Sequence, residues 1–320
     1  MSPGDKSGRT YLRLSITDRC DWRCRYCRPE LGVSEAKRFA VADDAELLEL
    51  VRLVHEETGI YKLRLSGGEP LLYPRVAELT ERLRRVLPDA RLVLTTNGRL
   101  LADVVGALSE AGVDGVNVSL DSLDPDRFRD VTGGGEVEAT LDGIHAAAAA
   151  GFSSVRLNTV LIRRTNGDQL ADLVRYAAGL GCEIRFIELM PLGPGVALWQ
   201  SDFLAADEAL DVLKQAFEYL GTAPSTGTAS RYRFQVEDRV VTVGMITPVS
   251  QPFCSRCDRL RLNRAGHLYA CLRQPVGVEL LSSLRAGEEQ AVRQRIRESV
   301  RGKQDPGEYW PDRQMVTIGG

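Results

Sequence analysis

The chain has 320 residues, 43% of them hydrophobic and 27% charged, with a formal net charge of -3 at neutral pH. That length suits one α/β barrel of roughly 200–250 residues with an extension, or two ordinary domains, and the composition excludes wholesale disorder. The charge balance argues against a surface coated for nucleic acid, residues 1–6 lack an apolar core, and no run approaches the roughly 18 apolar residues of a membrane span; a soluble, cytoplasmic protein without nucleic-acid or membrane partners is expected.

Six short runs rich in β-formers read as strands: 10–17, 62–66, 91–95, 115–120, 154–162 and 183–189. Between them, 44–55, 76–86, 101–108, 137–149 and 170–178 carry apolar residues at helical spacing, as Leu47, Leu48, Val51 and Val54 do. Strand followed by helix, six times over, predicts a parallel sheet with right-handed crossovers. Val116, Val118 and Leu120 alternate with polar residues, which suits the wall of a partial six-unit TIM-like barrel. Residues 1–220 are assigned to this barrel and 221–320 to a β-containing extension. In the latter, 207–220 reads as a helix leading in, 221–230 as a loop, 231–236 and 240–245 as a hairpin, and 288–300 as a helix. Gly133, Gly134 and Gly135 read as a flexible loop.

Seven cysteines are present, and six fall into two trios. Clustered cysteines in a cytosolic chain bind metal or do redox chemistry more often than they pair, and each trio would leave one sulfur over; Cys182 reads as a buried core residue. Cys20, Cys24 and Cys27 follow the first strand with spacing C-x3-C-x2-C, on the barrel face where loops carry chemistry. Three thiolates on one loop suit a 4Fe–4S cluster with one open iron, since such clusters take four cysteines when closed. Zinc is the bland alternative, but His55, His145 and His267 all lie far from this loop in sequence. Cys254, Cys257 and Cys271, spaced C-x2-C-x13-C, suit either a second open cluster or a zinc ribbon completed by His267. Residues 9–28 hold six arginines and two aspartates, and residues 254–273 hold five arginines and one aspartate. Positive charge at both trios implies an anionic substrate between them, and arginine's planar fork suits phosphate; no P-loop motif is present.

The C-x3-C-x2-C loop with Tyr26 before its last cysteine resembles the signature of the radical S-adenosylmethionine enzymes. Ser66-Gly67-Gly68-Glu69-Pro70 resembles that family's GGEP motif, Ser119 with Asp121 a ribose- or carboxylate-binding position, and Met190 the residue whose backbone receives adenine. The resemblance implies that S-adenosylmethionine chelates the open iron, with Tyr26, Gly68, Ser119 and Met190 lining its site.

The match tightens within the family. The paired trios, Arg259-Leu260-Arg261, residues 186–191 and the terminal Gly319-Gly320 are similar to its GTP-cyclising branch, from about residue 11 to 320. That branch joins the ribose C3′ of GTP to guanine C8 in the first step of molybdopterin synthesis. The resemblance implies two 4Fe–4S clusters, GTP held by Arg13, Arg64, Thr95, Arg156, Arg259, Leu260 and Arg261, and catalytic roles for Arg259 and Arg261. It also implies a flavodoxin- or ferredoxin-type electron donor, a downstream cyclic pyranopterin monophosphate synthase, a homodimer as the assembly to test for, and a C-terminal tail that threads into the site. Two departures stand out: Arg156 where the branch has lysine, which keeps charge but changes shape, and Ser66 for threonine. A peptide-modifying radical enzyme with an auxiliary cluster is the nearest rival, though such enzymes carry more C-terminal cysteines. A non-catalytic zinc- or iron-binding RNA adaptor would explain the basic cysteine segments but not the barrel pattern.

Overall fold

A computed structural model describes residues 9–27, 41–225, 227–274, 276–301 and 303. The Gly319-Gly320 tail lies outside them. All twelve strands of the described residues belong to one sheet. The six expected strands are β1 (Thr10–Ser15), β2 (Ile60–Ser66), β3 (Arg91–Thr96), β4 (Gly115–Ser119), β5 (Ser154–Leu161) and β6 (Glu183–Glu188). They lie side by side in chain order and run parallel, each crossing to the next through helix as the alternating pattern requires.

The later strands are β7 (Glu218–Ala223), β8 (Ser230–Val236), β9 (Arg239–Ile246), β10 (Arg259–Asn263), β11 (His267–Tyr269) and β12 (Val278–Glu279). They extend the same sheet at both ends. β9 pairs parallel with β6, and β10 pairs parallel with β1, so eight parallel strands form a partial-barrel wall flanked by antiparallel edges. The segment after 220 is thus built into the wall. This placement brings the second trio, Cys254 and Cys257 just before β10 and Cys271 just after β11, into the same cavity as the first, which follows β1.

Three expectations need correction. The helix expected at 207–220 ends at Ala216, and residues 218–223, read partly as loop, form β7 against β8. β10 was not expected, its arginines having been weighed as phosphate ligands, although Arg259-Leu260-Arg261-Leu262 alternates with a period of two. The helix Pro125–Thr132 was also missed, despite the Asp124 cap and Pro125 at its first turn.

Alternation divides the wall into two faces. Leu12, Leu14, Leu63, Leu65, Leu92, Leu94, Val116, Val118 and Leu157 point outward into the main apolar core under the helices. The opposite face carries Arg13, Arg64, Thr95, Ser119, Asn158 and Arg185, so the barrel interior is polar and cationic.

Candidate active site

One cavity of about 890 Å³ opens at the C-terminal ends of the parallel strands. Both trios line it: Cys20, Cys24 and Cys27 on one wall, Cys254, Cys257 and Cys271 on another. Loops at these strand ends meet over the barrel mouth, the usual place for chemistry in such sheets, and the volume falls in the range of small-molecule sites.

The first trio's loop is stitched to its surroundings by backbone. Ile16 N–H donates to Ser66 O at 3.0 Å, while Gly68 and Glu69 N–H donate to Thr17 O and Arg19 O, each at 2.8 Å. This approach leaves no room for side chains. A Cβ on Gly67, where φ is +139°, would sit 2.1 Å from Thr17 O, and one on Gly68 would sit 2.1 Å from Arg19 O. On the far side, Arg23 N–H donates to Thr132 O at 2.9 Å and Arg25 N–H to Val131 O at 3.0 Å, while Trp22 meets Phe128 edge-on at 5.3 Å. Gly133 caps the helix at φ +68°, and a Cβ on Gly135 would press on the Trp22 ring at 2.9 Å. Gly133 and Gly135 are therefore fitted against the cysteine loop while Gly134 faces open space, so the stretch expected to be a flexible loop is packed at two of its three positions.

Carboxylates that the sequence reading undervalued hold the loops in place. Glu69, buried, accepts from Thr96 Oγ1 (2.7 Å), Asn97 N–H (2.7 Å) and Leu71 N–H (2.9 Å), so it joins β2 to β3. Burial raises it to about 7, with the hydrogen bonds from Asn97, Leu71 and Thr96 opposing. Asp21, between the first two cysteines, accepts from Asn97 Nδ2 at 2.8 Å and pairs with Arg99. Glu188 at the end of β6 accepts from Val249 N–H (3.1 Å) and Ser250 N–H (2.9 Å), anchoring the segment that leads to Cys254. The signal for all three was a lone acid at a strand end or inside a loop, visible but not decisive in sequence.

Among the described residues, no group of three or more His, Cys, Asp or Glu side chains is arranged around a single ion. A cluster spreads its thiolates over separate irons. Burial, with Cys27, Asp121 and Cys20 adding to it, pushes the Cys24 thiol well above its ordinary range. Such a loop holds thiolates only beside a strong positive centre, and iron supplies one. The donor set fits.

Of the residues expected to hold nucleotide, Arg13, Arg64, Thr95, Arg259 and Arg261 line the cavity; those expected around S-adenosylmethionine, Tyr26, Gly68, Ser119 and Met190, do too. Two do not. Leu260 points into the apolar core, as alternation between Arg259 and Arg261 demands. Arg156 lies one step lower on β5, paired with Glu183 at 3.4 Å. Arg185, Arg273 and Lys303, not singled out in sequence, do reach the cavity. Arg185 is two residues ahead of Ile187 on an alternating strand, so its facing was readable. Arg259 lies over Phe253 at 5.4 Å. Burial, partly relieved by Tyr11 and reinforced by Arg13 and Arg259, holds Arg64 down to about 9, and burial with Arg13 and Arg259 holds Arg261 well below its usual range. Crowded cations of this kind favour an anion.

A partial parallel barrel with a three-cysteine loop after its first strand defines the class. The family model for the Radical SAM superfamily matches residues 14–177, and that for Molybdenum Cofactor Synthesis C matches 182–309. The chain is 39% identical over 317 residues to a GTP 3′,8-cyclase of Pelotomaculum thermopropionicum, covering 97% of each chain. It is 41% identical over 279 residues to GTP 3′,8-cyclase 1 of Pseudomonas aeruginosa, covering 86% of this chain and 83% of that protein. The fold also resembles the crystal structure of Streptococcus suis SuiB bound to precursor peptide SuiA (TM-score 0.60, 13% identity, 87% of this chain and 64% of that one). The chain belongs to the GTP 3′,8-cyclase family of radical S-adenosylmethionine enzymes.

Proposed function

We propose that this chain cyclises GTP, joining ribose C3′ to guanine C8 in the first step of molybdopterin synthesis. The reading rests above all on one observation: both cysteine trios and four arginines, Arg13, Arg64, Arg259 and Arg261, line a single cavity. Cys20, Cys24 and Cys27 would hold one 4Fe–4S cluster and Cys254, Cys257 and Cys271 a second, the latter carried by the segment after residue 220 that completes the barrel wall. When bound, the first cluster and S-adenosylmethionine supply the one-electron chemistry and the adenosyl radical that removes a ribose hydrogen.

The chain's own residues bind and orient. The carbonyls of Gly67 and Gly68 accept from the amino group of S-adenosylmethionine, Glu69 O being taken by Leu72 N–H at 3.1 Å, while Ser119 and Met190 take its ribose and adenine ends. The arginine floor receives the triphosphate, each guanidinium donating paired hydrogen bonds to phosphate oxygens. Arg185 joins it from β6, steadied by Glu183 at 2.7 Å. Ile187, Leu189, Val160 and Ile246 give the cavity an apolar wall that excludes water from a reactive radical.

The test is anaerobic incubation of reconstituted protein with GTP, S-adenosylmethionine and dithionite. Formation of 5′-deoxyadenosine together with an isomer of GTP bearing the new C3′–C8 bond is expected. Deoxyadenosine without any nucleotide product would reject the substrate assignment.

A further inference from the structure

Tyr11 lies on β1 beneath the cavity floor, two residues before Arg13, with 6% of its surface exposed. Its hydroxyl is buried and has no hydrogen-bond partner, an unfavourable state for such a group. Around its ring stand Lys62 at 4.7 Å, Arg64 at 5.6 Å, Arg259 at 5.8 Å and Arg13 at 6.0 Å from the centroid. Register builds this crowd, since Tyr11 sits opposite Lys62 on β2 and Arg259 on β10, with Arg13 opposite Arg64. Among the described residues none of these four cations pairs with a carboxylate. Acids on the neighbouring elements are committed: Glu183 to Arg156, Arg185 and Arg231, and Asp258 to the Tyr61 hydroxyl at 2.6 Å.

Like charges packed together in a poorly screened interior repel one another. Asp258 and Cys257 also bear on Arg259, but the ring that all four cations surround is that of Tyr11. We propose that Tyr11 is the built-in counter-ion of the cavity floor: as phenolate it neutralises the cations while the floor is free, and it takes up a proton from solvent when a polyphosphate arrives. The acidity agrees in direction. Burial opposes ionisation, yet Arg64, Arg13, Lys62 and Arg259 together bring Tyr11 down to about 7. Lys62 is brought down to about 8 by burial, with Tyr11 opposing and Arg64, Arg156 and Arg185 adding to the fall, so it is the other group that could exchange this proton. Tyr61, half-buried and bonded to Asp258, is pushed up by desolvation and that bond and stays protonated.

Because binding then consumes a proton, affinity for a polyanion falls by about tenfold per pH unit above the Tyr11 value. The inference rests on the floor being the triphosphate site, so the probe is inorganic tripolyphosphate, added anaerobically to the cluster-loaded enzyme without S-adenosylmethionine or reductant. Calorimetry near pH 8, in two buffers of different ionisation enthalpy, is expected to show roughly one proton taken up per tripolyphosphate bound. Tyr11→Phe is expected to bind the probe without that uptake; undiminished uptake in the variant would overturn the proposal and give the proton to Lys62. Tyrosine labelled with carbon-13 at Cζ reads the wild-type enzyme directly: a tyrosinate resonance that vanishes on adding tripolyphosphate supports the proposal, and its absence from the free enzyme overturns it. Failure of tripolyphosphate to bind would overturn the floor assignment itself, whereas binding without proton uptake overturns only the role of Tyr11.

Discussion

The Tyr26 hydroxyl donates to Asp121 Oδ2 at 2.6 Å, and Asp121 Oδ1 accepts from Val160 N–H at 2.8 Å. One buried carboxylate therefore ties the cysteine loop to β5 across the barrel mouth. A tyrosine singled out by its place in the cysteine loop thus has its hydroxyl committed to the protein, with its side chain lining the cavity.

That tie gives a pH prediction. Burial raises Asp121 to about 6 from an ordinary 3.8, opposed by the bonds from Tyr26 and Val160. A carboxyl raised in the folded state stabilises most below its unfolded value, and the contribution is lost as pH rises through the folded one. Thermal melts of wild type and Asp121→Asn should therefore diverge between about pH 4 and pH 6, the variant gaining on the wild type as pH rises. A difference constant across that range would contradict it.

The glycines of the 67–69 segment make a second prediction. Gly68→Ala places a methyl 2.1 Å from Arg19 O, so the cysteine loop must move and first-cluster iron should be largely lost. Gly106→Ala, in the helix Leu101–Glu110 with nothing near its Cβ, should keep full iron and gain about 0.5–1 kcal/mol of stability. Iron analysis and melting of the two variants check both arms.

Glu188 carries the third. Glu188→Ala leaves the Val249 and Ser250 N–H groups without their acceptor, a loss of about 1 kcal/mol for each hydrogen bond. The second trio should load poorly while the first loads normally, a separation that electron paramagnetic resonance of the reduced protein can follow. Equal loss at both sites would show that Glu188 supports the whole barrel mouth.

The floor arginines make the fourth. Arg259→Ala or Arg261→Ala should keep both clusters and weaken GTP binding by about tenfold or more, abolishing the cyclic product. Normal product from both variants would reject their assigned role.

The first trio was legible beforehand because it directly follows a strand of the barrel, whereas Arg13 and Arg64 came from the family resemblance and the facing that period-two alternation gives them is seen in the fold. Leu260 fails by the same rule, since a residue between two inward arginines points out. Arg156 sits one layer too low, a matter of register that no single strand reveals. The use of 239–246 and 259–263 as further barrel strands depends on long-range pairing with β6 and β1, which local sequence does not encode. Acids such as Glu69 and Glu188 act through backbone N–H groups up to tens of residues away, so their partners appear only after folding.

Iron and labile sulfide, counted in anaerobically reconstituted protein and in variants lacking one trio at a time, test the account most directly. Two open clusters facing one cavity require about eight irons per chain, and about four after replacing either Cys20, Cys24 and Cys27 or Cys254, Cys257 and Cys271 with alanine. A wild-type value near four, unchanged when the second trio is removed, would contradict it.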